Sequence, residues 1–170
     1  MPRIAALETA DMTAEQRQFH DNIVSGPRGG MRGPFQAWIH SPKFAELAQR
    51  LGEYCRFHSV LEVRQSELAI LVTARQWTAQ FEWFAHAPIA QKGGLSETVI
   101  EDLRAQRVPN FAKPDEAAIY NFCTELYRDS RITDATYAEA VGQLGEQGVV
   151  DLVGVLGYYA LVSMTLNVFE

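Results

Sequence analysis

Apolar side chains recur along this chain with the spacing of α-helices rather than of strands. The longest such region runs from 61 to 91, about thirty residues, and contains no glycine or proline before Pro88. One helix of that length would be long for a small domain. We therefore predict two helices that break near Trp77, with Gly93 and Gly94 as the C-terminal stop.

Local signals predict the ends of the remaining helices. Thr13 and Gln16 have the capping-box spacing, which predicts a helix from 13 to about 24. Ser41 and Pro42 supply an N-cap and a first-turn proline for a helix that extends to about 54. Further helices are expected from 96 to 104, from 115 to 128, from 134 to 144 with Asp134 as the cap, and after 148.

The predicted fold class is therefore all-α, a helical bundle of about seven or eight helices. One stretch is irregular, because residues 26–34 include four glycines and two prolines. No repeat of fixed period and no linker interrupts the chain, so we predict a single domain over 1–170. Four apolar residues of the helix after 41 share one face: Phe44, Leu47, Leu51 and Tyr54.

Composition and charge exclude several classes of protein. Hydrophobic residues make up 47% of the chain and charged residues 21%, as in ordinary globular proteins. The net charge of −6 argues against nucleic acid or an anionic membrane surface as a partner. The two cysteines, Cys55 and Cys123, form no cluster with each other or with histidine, so neither a disulfide scaffold nor a structural zinc site is expected.

The C-terminal segment is apolar enough to raise the question of a membrane. The 18 residues from 152 to 169 carry no formal charge, the lower limit for a spanning helix. Glycines and polar residues interrupt the segment, and no basic flank sets an orientation. We predict a buried core or subunit-contact helix and no membrane partner. Because the first twenty residues contain no signal-peptide core, a cytoplasmic location with reduced cysteines is expected.

His86 is the histidine whose surroundings suggest chemistry. Glu82 precedes it by four residues, so the two side chains meet on one helical face. A carboxylate next to an imidazole can orient it and raise its basicity, as general acid–base catalysis near neutral pH requires. The alternative is an ordinary surface pair. His20, His40 and His58 are explained as surface or capping residues.

Arginines and tryptophans supply candidate binding residues. Arg28 and Arg32 stand on the glycine-rich segment, where a guanidinium can grip a carboxylate with two hydrogen bonds. The alternative is an exposed connector. Trp77 and Trp83 are packing residues or walls of a pocket between helices. Cys55 is interpreted as a buried structural thiol.

Residues 67–95 resemble the carboxymuconolactone decarboxylase family, which shares its fold with the alkylhydroperoxidase D-like proteins. The matching residues are Glu67, the run 81–86, Ala90 and the Gly-Leu pair at 94 and 95. Residues 33–35 and 40–42 and the apolar final helix are also similar to members of this family. The resemblance implies an alkylhydroperoxidase D-like all-α fold, with a core motif over 61–95, and assembly into trimers or hexamers.

The resemblance also separates two activities. In the peroxidase branch, a Cys-x-x-Cys pair precedes the histidine and carries the redox chemistry. Here Ala79 and Glu82 stand at those positions, so peroxidase activity is not expected. The decarboxylase branch needs neither cysteine nor cofactor, and it implies His86 as the proton donor, oriented by Glu82 or Glu67. Glu67 would instead be structural if it were buried in a salt bridge with an arginine.

We therefore predict a cofactor-independent lyase-type enzyme that acts on a small carboxylated lactone or enol acid. Arg28, Arg32 and Arg75 are the candidate cations for the anionic substrate. No metal is expected, although Glu82 and His86 could supply two ligands and Glu67 or His58 a third. Two further hypotheses stay open: a peroxidase-type enzyme that uses Cys55 or Cys123, and a non-catalytic oligomeric binding protein.

Overall fold

A computed structural model describes residues 3–169 of this protein, and these residues form α-helices and no strand. A short 3-10 turn at Thr9–Asp11 precedes the first α-helix. The α-helices are α1 Ala14–Ser25, α2 Phe35–Trp38, α3 Pro42–Phe57, α4 Val63–Gln76, α5 Gln80–Lys92, α6 Glu97–Arg104, α7 Pro114–Asp129 and α8 Asp134–Phe169.

The predicted break near Trp77 is confirmed. Trp77 is the C-cap of α4, and Thr78 has a positive φ of 51° that turns the chain before α5 begins at Gln80. α4 and α5 pack against each other as a helical hairpin. Gly94, with φ of 97°, ends the second helix as predicted, because this backbone conformation favours glycine. The break brings the middle of α4 beside the middle of α5.

Of the three helix caps predicted from the sequence, one forms the predicted side-chain hydrogen bonds and two do not. The capping box of Thr13 and Gln16 is present in full. The prediction of Asp134 as a cap is wrong, because Asp134 is already helical. Its predecessor Thr133 accepts the hydrogen bond from the backbone nitrogen of Thr136 at 3.3 Å. Ser41 makes no side-chain capping bond either, although α3 begins where predicted.

α3 packs through its small residues rather than through its large apolar ones. The predicted apolar face is exposed, with Leu47 70% and Leu51 46% accessible to solvent. The buried residues of this helix are Ala45, Ala48, Gly52 and Cys55. A Cβ on Gly52 would lie 2.2 Å from the side chain of Tyr158, so glycine permits α3 and α8 to approach closely.

α8 forms much of the core. Within α8, Gly145 has a φ of 71° and is not helical, so the two helices predicted after 134 are both present and meet at this residue. α8 is long and apolar enough to span a membrane by composition, but 56% of its most apolar window is buried inside the protein. It packs on α4, α7 and α3. Its burial fits the predicted core helix.

α4 is the central helix of the bundle. Every residue from 64 to 74 is buried, including the polar residues Arg64, Gln65, Ser66, Glu67 and Thr73. Buried ionisable groups are rare unless they are paired, so Arg64 and Glu67 mark two places where the fold holds charge inside.

Candidate active site

Glu67 of α4 meets His86 and Glu82 of α5 inside the bundle. The Nδ1 atom of His86 lies 2.7 Å from Oε2 of Glu67, and Nε2 lies 3.3 Å from Oε2 of Glu82. Their exposed fractions are 4%, 5% and 4% for Glu67, His86 and Glu82. The predicted contact between Glu82 and His86 is therefore present and buried, so the interpretation as an ordinary surface pair is wrong.

The two carboxylates control the charge of His86. Burial alone lowers the pKa of the imidazole, but the hydrogen bonds and charges of Glu67 and Glu82 outweigh this effect and raise the pKa to about 9. The ring is therefore an imidazolium at neutral pH, with one carboxylate at each nitrogen. The geometry favours a group that gives up a proton rather than one that takes it.

Aromatic rings of α8 close the site from the other side. The ring of Tyr159 stands edge-on to the imidazole of His86, with centroids 5.0 Å apart and planes at 87°. Tyr158 packs against Tyr159 in the same manner at 5.2 Å. Burial raises the pKa of Tyr158 to about 12 and that of Tyr159 well above its usual value. Both phenols therefore stay neutral.

A cavity of about 250 Å³ opens onto this array. Glu82 and His86 line it, whereas Glu67 lies behind the imidazole and does not. The remaining lining residues are Pro27, Arg28, Gly30, Arg32, Pro34, Phe35, Arg56, Phe81, Ala85, Tyr158, Tyr159 and Val162. The volume suits a small molecule rather than a polymer.

Three arginines give the cavity its positive charge. Arg28 and Arg32, predicted from the glycine-rich segment, both line it. The guanidinium of Arg28 lies over the ring of Phe35 at 4.9 Å, and its Nη2 atom is buried with no hydrogen-bond partner among the described residues. An unpartnered buried donor of this kind is suited to a ligand carboxylate.

Arg56 is a cavity residue that sequence reasoning missed. It follows the small-residue face of α3 and stands four residues after Gly52, so it shares that glycine's face. Helical spacing from the small residues was therefore the signal that could have found it. Tyr158 and Tyr159 carried no comparable signal, because the apolar run of α8 does not show which face meets α5.

The structure does not bring the remaining predicted binding residues to this cavity. Arg75 and Trp83 line a second cavity beside the start of α5. Trp77, half-buried at the end of α4, lines neither cavity. These three predicted residues therefore lie outside the cavity of His86. Trp83 packs under Arg104 of α6, at 5.8 Å from the guanidinium to the ring centroid, whereas Tyr158 and Tyr159 of α8 line the cavity of His86.

Glu67 pairs with a histidine and not with an arginine among the residues from 3 to 169. Arg64 pairs instead with two residues of α7, with Asp115 at 2.7 Å and with Glu116 at 2.8 Å. The carboxylate of Glu67 forms its hydrogen bond with Nδ1 of His86. The alternative of a structural salt bridge between Glu67 and Arg64 is therefore not realised.

The cysteines and the possible metal ligands are arranged less favourably for chemistry. Cys55 and Cys123 are free and buried, and neither lines the cavity. Burial raises the pKa of Cys55 to about 11 and that of Cys123 further, which keeps both as thiols. Between residues 3 and 169, no group of three or more His, Cys, Asp and Glu side chains could hold a metal ion.

Comparison with known proteins supports the fold. No protein-family model and no curated protein sequence matches the chain. Its structure is similar to the alkylhydroperoxidase AhpD core of an uncharacterized peroxidase-related protein from Ralstonia eutropha JMP134, with a TM-score of 0.80. The match covers 99% of this chain and 90% of that chain, at 13% sequence identity. The protein therefore has the alkylhydroperoxidase D-like fold, which confirms the predicted fold class.

Proposed function

We propose that the protein is a cofactor-independent lyase-type enzyme that transfers a proton to a small carboxylated lactone or enol acid, as the resemblance to the carboxymuconolactone decarboxylase family implies. The buried array of Glu67, His86 and Glu82 at a cavity lined by arginines carries this proposal. The array can donate a proton, and the arginines can bind the carboxylates of an anionic substrate.

In the proposed reaction, Arg28 and Arg32 hold the carboxylates of the substrate. The bond between the departing carboxylate and its carbon breaks, carbon dioxide leaves, and the electron pair passes into the conjugated carbonyl. His86 then gives its proton to the carbon that lost the carboxylate, and the neutral imidazole regains a proton from water. Isomerisation or lactone hydrolysis would use the same proton donor but would release no carbon dioxide.

The three ionisable residues have separate tasks in this scheme. Glu82 and His86 line the cavity and are the groups that can touch the substrate. Glu67 acts through the Nδ1 atom of His86, so it is a positioning residue that orients the ring and keeps it charged. The neutral phenol of Tyr159 limits the movement of the imidazole from the other side.

Release of carbon dioxide from carboxymuconolactone tests this proposal. We expect release by the wild type and a loss of about 10²–10⁴-fold in His86→Gln at matched oligomeric state. His58→Gln is the control, because His58 is exposed and lies outside the cavity. No release by the wild type would remove the decarboxylase reaction. Ligand binding without turnover that survives in His86→Gln would favour the non-catalytic binding protein.

A peroxidase-type reaction has less support. The similar structure is that of a peroxidase-related protein, but here neither cysteine lines the cavity and burial holds both as thiols. A thiol-based peroxidase needs an accessible thiolate and a resolving thiol. Trapping of a sulfenic acid at Cys55 or Cys123 after peroxide treatment would reverse this preference.

We also propose that the chain assembles into a homo-oligomer, a trimer or a hexamer. Exposed apolar residues on two helices support an interface between copies. They are Phe44, Leu47, Leu51 and Tyr54 of α3, and Val150, Val153, Met164 and Val168 of α8. Light scattering should give three or six times 19.1 kDa, and Leu47→Lys should lower the mass. A wild-type monomer would contradict the proposal.

A further inference from the structure

A second cavity lies beside the first turn of α5, next to the end of α4 and the end of α6. Its volume is about 200 Å³. The residues that line it come from the end of α4, from the turn after α4, from the start of α5 and from the end of α6. They are Ala74, Arg75, Thr78, Ala79, Gln80, Trp83 and Arg104. None of them lines the cavity of His86.

Charge distinguishes this second cavity from the first. Arg75 and Arg104 contribute two guanidinium groups, and no lining residue is a carboxylate. Arg104 reaches Glu101 at 3.2 Å, but both side chains of that pair are exposed. Arg104 also lies over the ring of Trp83, at 5.8 Å from its centroid. An anion inside the cavity would thus meet two cations without displacing a buried acid.

Two buried donors at this cavity have no partner among the described residues. They are the Nε atom of Arg75 and the indole Nε1 atom of Trp83. Buried donors normally find an acceptor, so two unpaired donors on the wall of one cavity indicate an acceptor that comes from outside the chain. An oxyanion is suited to such donors, because it is an acceptor only.

The backbone adds to the same preference. α5 begins at Gln80, and its N-cap is Ala79, whose side chain cannot accept a hydrogen bond from the first turn. The amide groups at the start of this thirteen-residue helix carry partial positive charge beside the two arginines. The apolar parts of the wall, Ala74 and the ring of Trp83, offer a surface for a hydrocarbon group.

We propose that the second cavity binds the carboxylate of a small aromatic acid, with the carboxylate between Arg75 and Arg104 and the ring against Trp83. The arginine fork matches a carboxylate, and the cavity is too small for a nucleotide or a peptide. The site does not depend on the proposed decarboxylase activity, since none of its residues lines the cavity of His86.

The test uses benzoate as the probe and nuclear magnetic resonance of the three tryptophan indole groups as the readout. We expect titration to shift the indole N–H signal of Trp83, assigned by its absence in Trp83→Phe. The indole of Trp38 should not shift, because it donates to Thr165 at 2.9 Å inside the core. The proposal is wrong if no indole signal shifts, or if all three shift alike.

Calorimetry on matched arginine variants locates the carboxylate. Arg75→Gln and Arg104→Gln should each weaken benzoate binding about tenfold or more, whereas Arg107→Gln should not. Arg107 is an exposed arginine near the end of α6 and does not line the cavity. If Arg75→Gln fails to fold, Arg104→Gln still decides, because its side chain is exposed.

Two results in the same experiment would overturn the assignment. Equal weakening by Arg28→Gln would place benzoate in the His86 cavity instead. Inorganic phosphate that binds as tightly as benzoate would show that the site recognises charge alone and not an aromatic acid.

Discussion

Two buried ionic clusters stand three residues apart on α4, and they differ in what surrounds them. Arg64 donates to Asp115 at 2.7 Å and to Glu116 at 2.8 Å, and Gln65 donates to the same oxygen of Asp115 at 2.7 Å. None of these four side chains lines either of the two cavities beside α5. Every charge has a partner from another element, so this cluster joins α4 to α7.

The cluster of Glu67, His86 and Glu82 has the opposite character. It contains two carboxylates for one imidazolium, and two of its members line a cavity. Its charge depends on an imidazole that loses its proton at alkaline pH, since the pKa of His86 is raised to about 9, whereas the guanidinium of Arg64 keeps its proton. Burial alone therefore does not identify a functional cluster. A functional cluster also borders a cavity and contains a group whose charge can change.

The largest expected effect separates the two clusters by stability. Arg64→Met removes one partner of a buried ion network and leaves Asp115 and Glu116 without their cation. We expect the free energy of unfolding in urea to fall by about 3–5 kcal/mol. Arg50→Met is the matched control, because Arg50 pairs with Glu46 on the surface, and it should cost about 1 kcal/mol or less. Equal losses in both variants would contradict the structural role of Arg64.

The second expected effect concerns alkaline pH. The pKa of His86 is raised from 6.5 to about 9 in the folded protein, so its charged form stabilises the fold fully below pH 6.5, and this contribution is lost as the pH rises through 9. The loss amounts to about 3 kcal/mol between pH 6 and pH 10. Urea unfolding across this range should show it in the wild type and not in His86→Gln. Identical pH curves for the two proteins would refute the shifted pKa.

The Arg64 cluster responds at the opposite end of the pH scale. Although partial burial opposes it, the hydrogen bonds from Arg64 and Gln65 lower the pKa of Asp115 below its usual value of 3.8. Its contribution to stability is therefore present above that pH and lost as the pH falls through the lowered pKa. A loss of stability at acid pH therefore measures the contribution of the Arg64 cluster. A loss of stability at alkaline pH measures the contribution of the candidate active site.

The sequence predicted where the helices begin and end better than it predicted which side of a helix is buried. Helix ends depend on a few neighbouring residues, so a short stretch of sequence is enough to predict them. Examples are the break at Trp77, the capping box at Thr13 and the helix end at Gly94. The buried face of α3 depends on how closely α8 can approach Gly52, which no local pattern records. The large apolar residues of α3 are exposed for that reason.

The candidate active site shows the same difference between what local sequence predicts and what only the packing of the helices determines. Helical spacing alone placed Glu82 beside His86, and the family resemblance added Glu67. Arg56 and Tyr159 come from elements remote in sequence, so their places follow only from the packing of the bundle. Trp83 stands only three residues before His86 but lines a different cavity, under Arg104 of α6, so helical spacing alone does not decide its place.

The smallest expected effect tests whether Glu67 acts through His86. Glu67→Gln keeps the size of the side chain but removes the negative charge at Nδ1, so the pKa of His86 should fall by about 1–2. The alkaline limb of the rate of carbon dioxide release should move to lower pH by the same amount, since less imidazolium remains to give a proton. Glu62→Gln is the control, because Glu62 is an exposed residue at the start of the same helix and lies outside the cavity. If Glu67 only held α4 against α5, Glu67→Gln would lower the stability and leave the alkaline limb in place. A shift of the limb without a change in KM identifies Glu67 as the residue that sets the charge of the proton donor.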